Sequence, residues 1–102
     1  MDNSIWYVYM LLCDQKTYYI GITNDLRKRL NEHRNKMSLY TSRFSDIKLV
    51  YCEEYIGKYE AAKREKQLKG WSNAKKHMLI EGTLGRNQCN KLVEVISQDE
   101  NR

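Results

Sequence analysis

The sequence predicts a small α+β domain in which a three-stranded antiparallel sheet is flanked by about three helices, in the order β-β-α-β-α-α. Aromatic and β-branched residues, which favour strands, fill segments 6–13, 17–23 and 47–55. The first two segments are separated only by residues 14–16, a spacing typical of a β-hairpin. Helix-capping residues and glycines bound the other regular segments, which completes the α+β pattern.

The two hairpin strands each carry tyrosines on one predicted face. Side chains alternate between the two faces of a strand, so Tyr7 and Tyr9 share a face of the first strand, and Tyr19 and Gly21 share a face of the second. Gly21 lies inside its strand and indicates either a bulge or a place where another group approaches the backbone closely. Tyrosines on one hairpin face also commonly form cross-strand packing pairs.

The first helix is predicted over residues 25–37, with Asn24 as its capping residue. Its apolar stripe consists of Leu26, Leu30 and Met37. His33 falls on the same stripe, and Arg29 lies one turn before it, at the margin of the predicted buried face. The helix therefore directs an arginine and a histidine towards the sheet.

The second helix is predicted over residues 58–69 and ends at Gly70. The third begins at Ser72 and ends at Gly82. We expect one domain over residues 1–82, followed by a C-terminal extension over residues 83–102 that contains a weak helix and a frayed tail.

Glu65 lies on the predicted packing face of the second helix, between Ala61, Ala62 and Leu68. A carboxylate buried there would need a cation or a metal ion beside it. A solvated i,i+4 ion pair with Lys69 is the simpler alternative.

Positive charge is concentrated in the middle of the chain. The net charge is +5, whereas residues 25–80 alone hold 14 basic and 7 acidic residues, a net charge of +7. A polyanion is the expected partner, with nucleic acid considered before an anionic membrane surface. No apolar run approaches the ~20 residues of a membrane span. The three cysteines are widely spaced, which favours a reduced, cytoplasmic protein.

Taken in chain order, Tyr7-Val8-Tyr9, Tyr19-Ile20-Gly21, Arg29, His33 and Glu65 resemble the motifs of the GIY-YIG nuclease superfamily. Within that superfamily the chain is most similar to the small stand-alone bacterial YhbQ-like group, over about residues 5–80. The resemblance implies a GIY-YIG nuclease-like fold and a metal-dependent DNA endonuclease that acts on DNA structures or in DNA repair. A non-catalytic nucleic-acid-binding module of the same fold, or a nuclease active only with a protein partner that supplies specificity, is the alternative.

The resemblance also implies a catalytic set, namely Tyr9, Tyr19, Arg29, His33 and Glu65. Glu65 would hold one divalent ion, and a lone carboxylate suits Mg²⁺ or Mn²⁺. Tyr9 or Tyr19 would activate the attacking water, provided that cations such as Arg29 lower the pKa of the phenol. His33 would accept or relay a proton, or orient the tyrosine.

Nucleic-acid contacts, more with DNA than with RNA, are expected from the basic central segment. Gly21 would let the phosphate backbone approach the second strand. The basic candidates are Arg27, Lys28, Arg43, Lys66 and Lys69. Relatives usually carry an asparagine late in the domain, and three positions remain open for it: Asn73, Asn87 and Asn90.

Overall fold

The computed structural model of the chain describes residues 3–37 and 41–82. Its elements are β1 (Ile5–Cys13), β2 (Thr17–Thr23), α1 (Leu26–Arg34), β3 (Ile47–Ile56), α2 (Lys58–Lys69) and α3 (Asn73–Ile80). The predicted α+β class and the β-β-α-β-α-α order are confirmed. The predicted C-terminal extension, residues 83–102, lies outside the described residues.

The sheet has the order β2-β1-β3, and both edge strands run antiparallel to β1. Asp14 and Gln15 both adopt positive φ in the turn between β1 and β2, 50° and 64°, as tight hairpin turns require. The register of β1 with β2 is continuous, so of the two alternatives given for Gly21 the bulge is excluded and the close approach remains. The irregularity lies instead between Met10 and Leu11, where β1 pairs with β3.

Each face of the sheet has its own core, because β1 sends alternate side chains to opposite sides. One core joins Tyr9 and Leu11 of β1 to Leu26 and Leu30 of α1. The other consists of Val8, Met10, Ile20, Tyr51, Ala61, Leu68 and Leu79, and so joins the sheet to α2 and α3. Helix α1 therefore covers one face, and α2 with α3 covers the other.

Helix α1 begins one residue later than predicted. The capping residue is Asp25 rather than Asn24: its φ is −141°, and its carboxylate accepts a hydrogen bond from the Lys28 amide at 3.1 Å. The helix ends at Arg34, before the predicted residue 37, and Lys36 then adopts a φ of 62°. A left-handed residue at that point stops the helical path.

Helix α2 has the predicted bounds, but the charged residue on its buried face is Arg64, not Glu65. Ala61, Arg64 and Leu68 are buried, because positions three and four apart share a helix face. Glu65 lies at the margin of that face with 22% of its side chain exposed, and Lys69 is its ion-pair partner. Of the two alternatives for Glu65, the structure therefore shows the ion pair with Lys69 and not the buried carboxylate.

Arg64 is compensated by Glu53 of β3, and the two side chains are 5% and 0% exposed. The guanidinium Nε and Nη2 donate to Glu53 Oε1 and Oε2 at 2.9 and 3.0 Å. The hydroxyls of Tyr51 and Tyr55 donate to the same carboxylate, and Arg64 Nη1 donates to Gln67. Burial alone would lower the pKa of Arg64, but its bonds to Glu53 raise it above its ordinary value. The arginine is therefore charged and the network is well paired.

Within residues 3–37 and 41–82, no helix is long and apolar enough to cross a membrane. Cys13 is a buried free thiol. Cys52 is buried on β3. Cys89 lies outside the described residues, so the expectation of three reduced cysteines stays a prediction.

Candidate active site

A buried tyrosine–histidine pair lies between β1 and α1. Tyr9 and His33 are each only 1% exposed. The Tyr9 hydroxyl lies 2.9 Å from His33 Nε2, and the two rings meet edge to face with centroids 5.8 Å apart. The pair joins two of the predicted site residues, which are 24 positions apart in the sequence.

Gly21 makes room for this pair. It stands opposite Tyr9 in the antiparallel register, and a Cβ atom at Gly21 would lie 2.6 Å from the Tyr9 hydroxyl oxygen. Any larger residue would displace the tyrosine ring. The predicted close approach at Gly21 is therefore made by Tyr9, and because Gly21 is itself buried, the phosphate contact expected there stays a prediction.

Thr41 is the hydrogen-bond partner of the other ring nitrogen of His33. Its Oγ1 lies 2.6 Å from His33 Nδ1, and its side chain is 0% exposed. In the tautomer that carries its proton on Nδ1, the histidine donates to Thr41 and Nε2 accepts from the Tyr9 hydroxyl. Sequence reasoning missed Thr41, since a small polar residue in a loop has no periodicity that would place it beside a helix.

Tyr19 and Arg29 complete the cluster. The Tyr19 ring centroid lies 6.2 Å from that of Tyr9 and 5.1 Å from that of His33. Arg29 and Tyr19 both lie close enough to the Tyr9 hydroxyl to change its pKa: Arg29 lowers it and Tyr19 raises it. Arg29 Nε also donates to Glu32 Oε1 at 3.0 Å, a partner that the sequence did not suggest. A cavity of about 210 Å³ opens here, lined by Tyr19, Arg29, Glu32, His33 and Met37.

Burial sets the protonation of the buried pair. It raises the pKa of Tyr9 well above the usual range, the nearby Tyr19 raises it further, and the hydrogen bond and charge of Arg29 lower it by less. The pKa of His33 is lowered, first by burial and then by Arg29. Arg29 thus lowers the pKa of Tyr9, as predicted, but by less than burial raises it. Near neutral pH Tyr9 is a phenol and His33 is uncharged.

This arrangement predicts a pH-dependent stability. Because the pKa of His33 is lowered by folding, the unfolded chain binds a proton more readily, and the free energy of unfolding should fall as pH falls below about 6.5. The slope should approach ~1.4 kcal/mol per pH unit at most. Urea unfolding between pH 5 and 8 should show this slope in the wild type and its loss in His33→Gln.

The chain's other histidine, His77, provides the control for that measurement. It lies on α3 with 64% of its side chain exposed, so His77→Gln should retain the wild-type slope. An unchanged slope in His33→Gln would contradict the assignment.

Glu65 lies apart from the cavity that Arg29 lines. Its Oε2 atom is 3.4 Å from Lys69 Nζ, which is the i,i+4 pair expected as the alternative. Lys69 in turn lines a second cavity of about 300 Å³, together with Tyr18, Tyr19, Ile20 and Lys76. The structure thus gathers Tyr9, Tyr19, Arg29 and His33, while Glu65 connects through Lys69 to the neighbouring cavity.

The predicted nucleic-acid contacts lie on two sides of the sheet. Arg27 and Lys28 are exposed on α1, whereas Lys66 and Lys69 are exposed on α2, and Arg43 is exposed in the segment before β3. Among the asparagine candidates, Asn73 is the exposed first residue of α3. Asn87 and Asn90 lie outside the described residues. In the described part of the chain, no three His, Cys, Asp or Glu side chains are grouped as metal ligands.

Comparisons with known proteins show the family to which the chain belongs. Residues 5–78 match the model of the GIY-YIG catalytic domain. A UPF0213 protein of Clostridium perfringens is 40% identical over 75 residues, covering 72% of this chain and 81% of the relative. A UPF0213 protein of Bacillus pumilus is 38% identical over 82 residues, covering 79% and 84%.

A solved structure is also similar. The solution NMR structure of the UPF0213 protein BH0048 from Bacillus halodurans has a TM-score of 0.50 and 32% identity, covering 76% of this chain and 83% of that one. The architecture of the sheet and helices and the catalytic-domain match thus lead to one conclusion: the chain belongs to the GIY-YIG nuclease family, in its small UPF0213, YhbQ-like group.

Proposed function

We propose that the chain is a divalent-metal-dependent DNA endonuclease, and that the cavity beside Arg29 receives the scissile phosphate. The observation that carries the proposal is the buried Tyr9–His33 pair, with Arg29 beside it at the edge of a cavity. A guanidinium suits two phosphate oxygens, and it stabilises the charge that develops there during hydrolysis. We place its substrates among the DNA structures of repair, in the cytoplasm.

The tyrosines and the histidine provide a route for the proton of the attacking water. Tyr19 and His33 both line the cavity, and the buried Tyr9 hydroxyl lies 2.9 Å from His33 Nε2. As the water oxygen bonds to phosphorus, its proton passes to Tyr19, the Tyr19 proton passes to Tyr9, and the Tyr9 proton passes to His33. The bond from phosphorus to the leaving sugar oxygen breaks, and that oxygen takes up a proton from solvent. No tyrosine needs to be ionised beforehand, which suits the high pKa of Tyr9.

The bound phosphate would also improve His33 as the final proton acceptor. Arg29 contributes to the low pKa of His33, and a phosphate on Arg29 would offset that positive charge. An anion near the ring favours the imidazolium form. Substrate binding would therefore raise the pKa of His33 at the moment when it must accept a proton.

Glu65 is the residue that would hold the metal ion. A single, partly exposed carboxylate fits a hard cation that keeps water and phosphate ligands, as Mg²⁺ and Mn²⁺ do. Within residues 3–37 and 41–82, no group of three potential metal ligands adjoins it. Lys69 would have to give up its pairing with Glu65. The ion would supply positive charge to the phosphate and to the leaving oxygen.

A non-catalytic nucleic-acid-binding module, or a nuclease that requires a protein partner, is the second candidate. The observation that favours it is the position of Glu65, which pairs with Lys69 and does not line the cavity of Arg29. In this second candidate, a protein partner would reorient the region around Glu65 before a metal ion acts on the phosphate.

A cleavage assay tests the proposal. Branched, flapped, nicked, single-stranded and duplex DNA, and RNA, are incubated with the chain with and without Mg²⁺ or Mn²⁺. We expect metal-dependent cleavage of DNA, reduced at least ~100-fold by Glu65→Gln. Glu60→Gln is the matched control, since Glu60 lies on the same helix and forms a similar exposed pair with Lys63.

The outcomes separate the two candidates. Cleavage that survives Glu65→Gln would contradict the proposed metal site. Salt-dependent binding of DNA without cleavage under any of these conditions would favour the binding module or the partner-dependent nuclease.

A further inference from the structure

A second cavity adjoins the candidate active site at the edge strand β2. Tyr18, Tyr19 and Ile20 line one side of it, and Lys69 of α2 and Lys76 of α3 line the other. The residues that line it contribute two cations and no carboxylate. Two lysines from different helices therefore meet over the edge of the sheet, beside a tyrosine that also borders the Arg29 cavity.

Tyr18 and Tyr19, which are consecutive in β2, show towards which face of the sheet each cavity lies. Consecutive side chains of a strand point to opposite faces. Tyr19 packs with the core that contains α1, and Tyr18 packs with the core that contains α2 and α3. The β2 edge thus has an arginine-lined cavity towards one face and a lysine-lined cavity towards the other.

We infer that Lys69 and Lys76 form a subsite for a second, non-scissile phosphate of the nucleic-acid strand that Arg29 engages. This inference rests on the proposed function. A sugar–phosphate backbone crossing the edge of β2 beside Tyr19 would place one phosphate at Arg29 and another at the two lysines. The second phosphate would orient the strand and determine which bond lies at Arg29.

Both lysines are available to a phosphate. Lys69 Nζ is 3.4 Å from Glu65 Oε2, with 57% and 22% of the two side chains exposed. Partly exposed pairs of this kind contribute little free energy, so a phosphate can replace the carboxylate. Lys76 is half-buried, and within the described residues its side chain has no ion pair.

The test measures binding of a fluorescein-labelled DNA oligonucleotide in EDTA, as a function of NaCl concentration. The double variant Lys69→Gln/Lys76→Gln is compared with Lys48→Gln/Lys63→Gln, which removes the same charge. Lys48 is exposed on the opposite edge strand, and Lys63 is exposed on α2 beside a different cavity.

We expect the subsite variant to bind at least ~10-fold more weakly at low salt, and the control less than ~3-fold. The slope of log affinity against log salt should decrease by ~0.7 for single-stranded DNA, or ~0.9 for duplex, for each phosphate that the variant no longer neutralises. Equal reductions of affinity in the two variants would overturn the inference, because only net charge would then matter. A weaker affinity without a change in slope would also overturn it.

This binding measurement and the cleavage assay together separate the inference from the proposed function, since EDTA prevents metal-dependent cleavage while binding is measured. Selective weakening of the subsite variant in a chain that never cuts DNA would support the subsite and contradict the nuclease. If the chain cuts DNA but the subsite variant binds like the control, the proposed nuclease function is supported and the subsite is contradicted. Absence of binding by the wild type at low salt would overturn both.

Discussion

Replacing Arg64 with methionine should lower the free energy of unfolding by about 3–5 kcal/mol, because it leaves the fully buried Glu53 carboxylate without its cation. The two tyrosine hydroxyls that bind the carboxylate cannot supply a positive charge. Guanidinium unfolding followed by circular dichroism at pH 7 measures the change. We expect the midpoint guanidinium concentration to fall, and the dependence of the free energy on guanidinium concentration to remain near that of the wild type.

Two further variants make this result specific. Lys63→Met, on an exposed position of the same helix, should change the free energy by less than about 0.5 kcal/mol. In the double variant Glu53→Gln/Arg64→Met, the free energy of unfolding should fall by clearly less than the sum of the falls in the two single variants, since both charges are removed together. A loss below about 1 kcal/mol in Arg64→Met would contradict the expected cost of leaving the buried Glu53 carboxylate without its cation.

Replacing Arg29 with alanine should reduce single-turnover DNA cleavage by about 100- to 1,000-fold, because the scissile phosphate would lose its guanidinium partner. Arg29→Lys should restore only part of the rate, as an ammonium group lacks the two parallel donors. The unfolding free energy should change by no more than about 1 kcal/mol, since the pairing of Arg29 with Glu32 is partly exposed.

Arg27→Ala is the matched control for that measurement. Arg27 lies on the same helix and is exposed away from the cavity, so its replacement should affect the rate less than ~3-fold. Equal reductions of the rate in Arg27→Ala and Arg29→Ala would mean that Arg29 contributes only general positive charge.

Much of the fold could be predicted because its signals are local. Strand alternation and the short connection define the hairpin, and the bounds of β2 and α2 agree with the prediction. The predicted cap of α1 is displaced by one residue, since Asn24 and Asp25 are both good capping residues and only the backbone conformation selects between them. The bulge depends on how β1 meets β3, which no local pattern specifies.

The part of the candidate site that lies on a single helix could be predicted from the sequence. Arg29 and His33 are one turn apart, so their common direction follows from helix geometry, and both reach Tyr9. Thr41 is brought to His33 by a loop, and Arg64 is buried because Glu53 of another element compensates its charge. These contacts arise only when distant segments pack, which is why the sequence could indicate neither the role of Thr41 nor the burial of Arg64.

The pairing of β1 with β3 also has a consequence for folding fidelity. Val8 stands opposite Glu53 and Tyr9 opposite Cys52, so the two polar networks occupy adjacent rungs of the ladder and opposite faces of the sheet. A slip of β3 by one residue would turn Glu53 away from Arg64 and towards the face that holds Tyr9. Such mispaired chains would leave a carboxylate without a cation in an apolar layer. The buried charges therefore favour the one register in which the tyrosine–histidine pair can form.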